Sequence, residues 1–201
     1  ETVWTEPQLK WAGKGEFASA TGDFKIERSD VAGDGLQVAV AGTIADLSQR
    51  CQVALEGEIA YDLSRLVTRL RPHLGPSLQL EGQDTRPFTL RGPIRSLELT
   101  TSNTRLTAGS TQPINESPAW PPRDFTAQAG LRWNSANVYG LPIGPGELQS
   151  QLKDSVLLFK PIDVTIAEGR FHLAPRIHWD QPEPLIVADA GPIADHVQLS
   201  P

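Results

Sequence analysis

The sequence predicts a mostly β protein: a long antiparallel meander curled into a groove or open half-barrel, with one short amphipathic helix packed on its apolar face. Three observations lead to this prediction. Apolar and polar residues alternate over stretches of roughly ten residues, which is longer than the usual strand of ~5–6 residues. The 17 glycines and 17 prolines supply the many turns that a meander needs. Only one stretch of the chain has a helical period.

The helix is predicted over residues 62–72. Its apolar side chains recur at intervals of three and four residues and form one stripe that includes Leu66 and Leu70, whereas arginines cover the opposite side. Asp62 can act as the N-cap, and a proline and a glycine end the helix. Because strands flank the helix, its stripe is expected to lie on an apolar sheet face, where the helix would close or plug one end of the groove.

Before the helix, the alternation predicts strands over residues 17–28, 36–44 and 51–61, preceded by an irregular lead. Asp34-Gly35 predicts a hairpin between the first two strands. Each strand has one apolar and one polar face, which is typical of an antiparallel sheet with one face in water.

After the helix, strands are predicted at residues 78–80 and 88–94, joined through residues 83–85, so that the helix would be an insertion between successive strands of one sheet. Residues 108–124 contain four prolines and no period. This stretch predicts a long surface loop and allows a sub-boundary within one domain of residues 1–201. The glycine-rich stretch 140–146 is interpreted as a turn. Further strands are predicted over residues 97–106, 125–133, 148–152, 156–159, 162–167, 170–179, 185–188 and 197–199.

Composition narrows the classes of function. A net charge of −6 without a basic run argues against nucleic acid as a partner. No apolar run approaches the ~18 residues of a membrane-spanning helix. Cys51 is the only cysteine, which excludes an internal disulfide, and its alternation with Val53 and Leu55 indicates a buried, inert thiol. Because residue 1 is Glu and the sequence has no Met, the chain is expected to be a processed protein or a piece of a longer one.

The candidate chemical sites are weak. His172, His178 and Asp180 share one side of a predicted strand and offer nitrogen and oxygen ligands. However, same-face neighbours on a strand lie ~6–7 Å apart, and Arg176 between them would repel a cation. No nucleophile, general acid–base pair or phosphate-binding loop is evident. The sequence therefore predicts no catalytic site, no metal site, no cofactor and no enzymatic activity.

Two interpretations of the apolar face remain open. In the first, the face is the inner wall of a trough that takes a phospholipid or another acyl-chain ligand. In the second, the same residues belong to a structural or adhesive β-sandwich whose sheets pack on each other without a ligand. The predicted trough lining, shared by the strands and the helix, consists of Val38, Val40, Val53, Leu55, Ile59, Leu66, Leu70, Leu90, Leu131, Val164 and Phe171.

The C-terminal part of the chain resembles a known family in its order of elements. Residues 148–161 read Leu-Gln-Ser-Gln-Leu-Lys-Asp-Ser-Val-Leu-Leu-Phe-Lys-Pro, and a strand, Glu168-Gly169-Arg170-Phe171, Trp179-Asp180 and a closing Val197-Gln-Leu follow. This order is similar to the C-terminal module of AsmA-like and TamB-like bacterial envelope proteins. Asp154-Ser155 stands where that family usually has Asp-Gly. The resemblance covers about residues 125–201 and, more weakly, residues 51–95.

The resemblance implies a β-groove protein of the Gram-negative cell envelope, anchored in the inner membrane by a segment outside this chain and projecting into the periplasm. There an apolar trough would conduct or shield phospholipid acyl chains on their way to the outer membrane. The family brings no catalytic residues with it. Because the last predicted strand stops close to Pro201, further β strands are expected beyond that residue.

Overall fold

The computed structural model describes residues 8–47, 50–75, 77–94, 121–179 and 184–197. This part of the chain contains one helix and sixteen strands, and every strand pairing is antiparallel. The predicted fold class, a mostly β meander that stays open and carries one short helix, is confirmed. The elements in chain order are β1 (Lys10–Ala18), β2 (Asp23–Gly33), β3 (Leu36–Ala45), β4 (Gln52–Asp62), α1 (Leu63–Leu74), β5 (Leu78–Glu81), β6 (Gln83–Pro93), β7 (Thr126–Trp133), β8 (Ser135–Val138), β9 (Leu141–Ile143), β10 (Gly146–Lys153), β11 (Val156–Phe159), β12 (Ile162–Ile166), β13 (Gly169–Leu173), β14 (Pro175–His178), β15 (Leu185–Ala188) and β16 (Ala194–Asp195).

The strands form two sheets, and from β5 onward the chain passes back and forth between them. Ten strands lie in the order β1-β2-β3-β4-β6-β7-β10-β11-β14-β15, and six lie in the order β5-β8-β9-β12-β13-β16. Each strand of the smaller sheet is the neighbour in sequence of one of the last six strands of the larger sheet, and the two lists run in the same spatial order. The molecule is therefore one meander whose last six strands bend from one sheet into the other along a common crease.

The two sheets contact each other mainly beside the crease. In the described part of the chain, contacts between strands of different sheets are slight except for β10 against β12, which lie beside the crease. Two layers that packed face to face would instead bury large side chains completely, and no described side chain reaches that state. The arrangement is an open, bent sheet, unlike the two packed layers of a β-sandwich.

Gly82 is the residue at which the chain passes from β5 to β6. It is buried, with a φ of +156°, and a Cβ there would lie 3.0 Å from the Trp133 Cα atom. A side chain at this position would be strained by its backbone and would collide with the neighbouring strand. The predicted joint at residues 83–85 is wrong, because these residues already belong to β6. The predicted insertion of the helix between successive strands of one sheet is also wrong, because the strands that flank it, β4 and β5, lie in different sheets.

Three other predicted boundaries also change. Residues 17–28, predicted as one strand, instead contain the end of β1, a turn and half of β2. The irregular lead expected over residues 2–11 overlaps β1 only at the last two residues of the lead, and residues 2–7 lie outside the described ranges. The predicted turn at 140–146 contains β9, and the predicted strand 170–179 is divided at Ala174 into β13 and β14, which lie in different sheets. The predicted strand 97–106 and most of the loop 108–124 lie outside the described residues.

The helix follows β4 directly. It begins opposite Gly82, the residue that joins β5 to β6, the partner strand of β4. The Leu63 backbone N–H donates to the Gly82 carbonyl at 2.9 Å, which extends the ladder between β4 and β6 by one bond before the chain turns. Leu63 and Val67 are buried, and the helix packs mainly against β5. The apolar stripe is thus buried as predicted, and it packs against β5, which is an edge strand of the smaller sheet.

Two aspartates hold the start of the helix. The Asp62 carboxylate accepts hydrogen bonds from the Ser64 and Arg65 backbone N–H groups at 3.1 and 3.3 Å, which confirms the predicted N-cap. Asp34, at the predicted hairpin between β2 and β3, accepts from the guanidinium groups of Arg65 and Arg69, each at 2.7 Å. The hairpin tip is therefore clamped to the helix.

Candidate functional site: an apolar face with one charged pair

The larger sheet has one face that is apolar across its whole width. Residues paired directly across antiparallel strands project from the same face, so the strand register identifies continuous rows. One row crosses all ten strands and has only apolar members: Gly15, Ile26, Gly42, Leu55, Leu90, Ala127, Leu152, Leu157, Ile177 and Ile186. At ~4.8 Å per strand, this row is about 43 Å long on the sheet surface.

Most of the predicted lining residues lie on this face. Val38, Val40, Leu55, Ile59, Leu90 and Leu131 project from it and are half-buried. Val53 projects from it too but is only 3% exposed, because it belongs to a packed cluster with Phe125 and Leu152 at one end of the strands. Val53 is therefore a core residue. Leu55 and Leu90 pack partly against the same cluster, and all six of the other residues keep part of their apolar surface open.

The remaining predicted lining residues lie elsewhere. Val164 and Phe171 are paired with each other in the smaller sheet, and Leu66 and Leu70 are half-buried positions of α1. The structure thus brings the strand residues onto one bent surface, while the helical pair lies beside β5 at its edge.

The apolar faces of the two sheets meet inside the crease. A Cβ added to Gly146 on β10 would collide with the Trp133 indole and would lie 2.6 Å from a Val164 methyl group on β12. The indole Nε1–H donates to the Gly144 carbonyl at 3.0 Å, so the ring is fixed over the bend. Because Val164 and Trp133 approach each other over Gly146, the apolar side of the bend is its concave side.

Large apolar side chains remain exposed at both lateral edges of the larger sheet. Trp11 and Phe17 on β1 are 71% and 59% exposed, and Ile186 on β15 is 69% exposed. Register places all three on the apolar face. The apolar surface therefore extends to both rims without a polar border.

Only two charged residues project from the apolar face of the larger sheet, judged by register over its described strands. These are Asp84 and Arg86 on β6, whose cross-strand neighbours on β4 are Tyr61 and Ile59. The Arg86 Nε–H donates to the Asp84 carboxylate at 2.7 Å, and the two side chains are only 20% and 31% exposed. A half-buried ion pair on an otherwise apolar face is costly to desolvate, so its presence calls for an explanation.

The pair lies at an opening in the sheet. β6 and β7 pair only from Thr89 to Arg91, although each strand continues along its other neighbour. Tyr61 crosses the gap: its hydroxyl accepts from the Arg132 backbone N–H at 2.6 Å and donates to the Arg132 carbonyl at 3.2 Å. The Tyr61 hydroxyl thus takes the place of a β6 backbone partner for Arg132. β6 and β7 therefore remain unpaired beside the crease.

The Arg86 guanidinium extends into this opening. Its Nη1 donates to the Glu147 carboxylate at 3.2 Å, and Glu147 also accepts a short hydrogen bond from Gln149. Glu147 alternates with Gly146 and Leu148, so its side chain starts from the opposite face of the sheet. The two groups can meet only where the strands are separated.

Hydrogen bonds and charges keep all these groups ionised. The hydrogen bond from the Thr85 backbone, together with nearby Arg86, lowers the pKa of Asp84. The hydrogen bond from Gln149, followed by the influence of Arg86, lowers the pKa of Glu147. Burial alone would lower the pKa of Arg86, but Glu147 and Asp84 raise it above its usual value.

Two cavities border the pair. One of about 610 Å³ is lined by Tyr61, Asp84 and Arg65 among other residues at the ends of β3, β4 and β6. The other, of about 550 Å³, is lined by Arg86 and by residues of β7, β10 and β11, most of which, such as Gln128, Gln149 and Gln151, belong to the opposite, polar face. The first cavity leaves space beside Asp84, and the second leaves space beside Arg86 at the opening between the strands and toward the polar face.

Other predicted features do not assemble into a site. His172 pairs with Asp163 across β12 and β13 at 2.5 Å, and His178 lies on β14 in the other sheet. Asp180 lies outside the described residues. Within the described ranges no group of three or more His, Cys, Asp or Glu residues is suited to hold a metal ion. Nowhere in those ranges is there a helix with the length and apolarity of a membrane span.

The sequence does not predict Asp84 and Arg86 as site residues, because residues 83–85 predict a joint between two strands. The alternation of Asp84, Arg86, Phe88 and Leu90 was present in the sequence. However, nothing in the local sequence indicates that the charged Asp84 and Arg86 lie on the same face as Phe88 and Leu90.

Comparisons with known proteins add no assignment to this geometry. No protein-family model, curated protein or solved structure matches the chain.

Proposed function

We propose that this chain is a non-enzymatic, AsmA-like module of the cell envelope whose bent apolar face accommodates the acyl chains of phospholipids, in phospholipid handling or outer-membrane assembly. In this proposal the module works in the periplasm, held at the inner membrane by a segment outside residues 1–201, and its sheet is continued by further β strands.

The observation that carries the proposal is the ten-strand apolar row. All of its members except the buried Leu152 stay at least partly open, and the apolar side of the bend is concave. A hydrocarbon leaflet is roughly 15 Å deep, half of a ~30 Å bilayer core, so the row of about 43 Å is longer than an extended acyl chain needs. Each methylene that leaves water for such a surface contributes ~0.8 kcal/mol. The exposed Trp11, Phe17 and Ile186 supply more surface of the same kind at the rims.

Site-specific photocrosslinking tests the proposal with a control on the next residue. A benzophenone side chain replaces Leu55 on the apolar face in one variant and its exposed neighbour Ala54 on the polar face in another. A second matched pair uses Leu131 and Arg132 on β7. After irradiation with phospholipid vesicles, we expect lipid adducts by mass spectrometry at 55 and 131 only.

Equal labelling of both faces, or no labelling at either, would contradict the proposal. No adduct at Leu55 or Leu131, together with failure to bind a hydrophobic dye, would leave the structural or adhesive role as the better explanation.

A further inference from the structure

The apolar face carries a single ion pair, and this pair defines where the polar part of a ligand belongs. Starting from Arg86, the directly paired residues on successive strands are Ile59, Val38, Val31 and Trp11, all apolar. These four steps across strands measure about 19 Å at ~4.8 Å each. This distance is comparable to the roughly 15 Å depth of a hydrocarbon leaflet, so one acyl chain fits between the charged pair and the rim.

A second row of similar length lies beside the first. It runs from Phe88 through Gly57, Val40 and Ser29 to Gly13. Rows on one strand face are ~6.8 Å apart, two residues of strand rise. Two acyl chains can therefore lie side by side from one polar end at β6.

The charge at this end is balanced. Asp84 and Glu147 supply two negative charges, Arg86 supplies one positive charge, and Arg132, which acts on both carboxylates, supplies a second. A ligand with a net charge would leave part of this half-buried charge uncompensated. A headgroup with one anionic and one cationic group can contact both members of the pair at once.

We infer that the Asp84–Arg86 pair is the headgroup site of the groove and that its ligand is a zwitterionic phospholipid, with the phosphate on the Arg86 guanidinium, the ammonium on the Asp84 carboxylate, and an acyl chain along Ile59, Val38 and Val31. This inference rests on the proposed function and adds to it the class of headgroup and the direction of the chains.

The test measures the affinity of the purified chain for three lipids with identical chains: dioctanoyl phosphatidylcholine, dioctanoyl phosphatidylglycerol and dioctanoylglycerol. Trp11 lies on the row, so tryptophan fluorescence provides the signal, and native mass spectrometry provides the stoichiometry. We expect phosphatidylcholine to bind about tenfold more tightly than dioctanoylglycerol, the effect of one or two charge-assisted hydrogen bonds. Phosphatidylglycerol should bind more weakly than phosphatidylcholine.

The double variant Asp84→Asn/Arg86→Gln should lose this tenfold preference and keep the wild-type affinity for dioctanoylglycerol. The matched control is Arg28→Gln/Asp30→Asn on β2, because Arg28 and Asp30 are also two residues apart and ion-paired, at 2.6 Å, but lie on the polar face. The control variant should retain the full preference for phosphatidylcholine.

The single variant Asp84→Asn keeps the charged Arg86 and also serves if the double variant does not fold. Removing one negative charge should reverse the order of the two phospholipids, so that phosphatidylglycerol binds more tightly. A pair that only holds β6 to β10 would not change the headgroup preference in this way.

Three results would overturn the inference. Equal wild-type affinity for phosphatidylcholine and dioctanoylglycerol would refute the headgroup site while leaving the acyl-chain groove intact. An equal loss of affinity for all three lipids in the double variant would make the pair purely structural. No binding of any of the three lipids would refute the proposed function together with the inference.

Discussion

Leu152 shows how much more a packed side chain contributes to stability than an exposed one of the same type. It is 7% exposed and packs with Val53 and Phe125, whereas Leu158, on the next strand and the opposite face, is 39% exposed. The substitution Leu152→Ala should lower the free energy of unfolding by about 3 kcal/mol, because it removes buried methylenes and leaves a cavity. Urea unfolding followed by tryptophan fluorescence measures this change.

Leu158→Ala is the matched control and should cost less than about 1 kcal/mol. Equal losses at the two positions would show that the packed end of the strands is no better ordered than the open surface.

At the same scale, the sequence predicts apolar lining residues well and polar ones poorly. Alternation identified Leu55, Leu90 and Leu131 because an apolar residue at every second position has one simple interpretation. Asp84 and Arg86 keep the same period but change chemistry. A Gly-Gln-Asp sequence favours a turn by local rules, and only the long-range register with Tyr61 and Ile59 shows which face Asp84 and Arg86 share.

At the scale of elements, the start of α1 depends on its cap. Asp62 accepts from two backbone N–H groups of the first turn and from the Gln83 side chain at 2.7 Å. Asp62→Ala should therefore lower the free energy of unfolding by about 1 kcal/mol. Thermal unfolding monitored by circular dichroism measures this loss.

Ser64→Ala, an exposed change in the same turn, should remain within about 0.5 kcal/mol of the wild type. A cap variant as stable as this control would mean that packing of α1 against β5 alone determines where the helix begins.

The clamp between the β2–β3 hairpin and α1 should make stability depend on pH. Hydrogen bonds from Arg65 and then Arg69 lower the pKa of Asp34 in the folded protein. A lowered folded-state pKa means that the carboxylate stabilises the fold fully above the unfolded pKa of ~3.9 and loses this effect as the pH falls through the folded value.

We therefore expect Asp34→Asn to be less stable than the wild type at pH 6 and to approach it as the pH falls below about 4. Urea unfolding across this range measures the difference. Because the ion pairs are exposed, 1 M salt should also shrink the difference at pH 6. A gap that grows in acid would refute the clamp.

Element positions were far more predictable than element partners. The helix, the hairpin at Asp34 and most strand centres follow from local period and turn chemistry. The crease does not, because the chain passes it at Gly82, at Asn134 and again at Ala174 with no common residue type. Which sheet a strand joins is set by pairing between residues far apart in sequence, and alternation is the same on both sides of the bend.

At the scale of the whole molecule, the two lateral edges of the larger sheet differ. β1 carries Lys10, Lys14 and Glu16 and has an irregular register at Lys14–Gly15, features that discourage strand addition. β15 reads Leu-Ile-Val-Ala and is exposed throughout. We therefore expect other strands to pair more readily with the β15 edge than with the β1 edge.

Ile186→Lys should reduce concentration-dependent association of the purified chain, measured by light scattering, since a charge on an edge strand opposes pairing. Its stability should change by less than about 0.5 kcal/mol because the position is exposed. Thr43→Lys adds the same charge to an exposed position of the inner strand β3 and should leave association unchanged. Equal effects would point to net charge as the cause.

The count of strands in the larger sheet has a directional consequence. In the part of the chain that the structure describes, ten strands alternate in direction, which leaves β1 and β15 pointing opposite ways. Any strand that pairs antiparallel with β15 therefore runs in the same sense as β1. Copies of this sheet can therefore be joined edge to edge with all copies in the same orientation. The charged pair of each copy would then lie at the same height as that of the next copy.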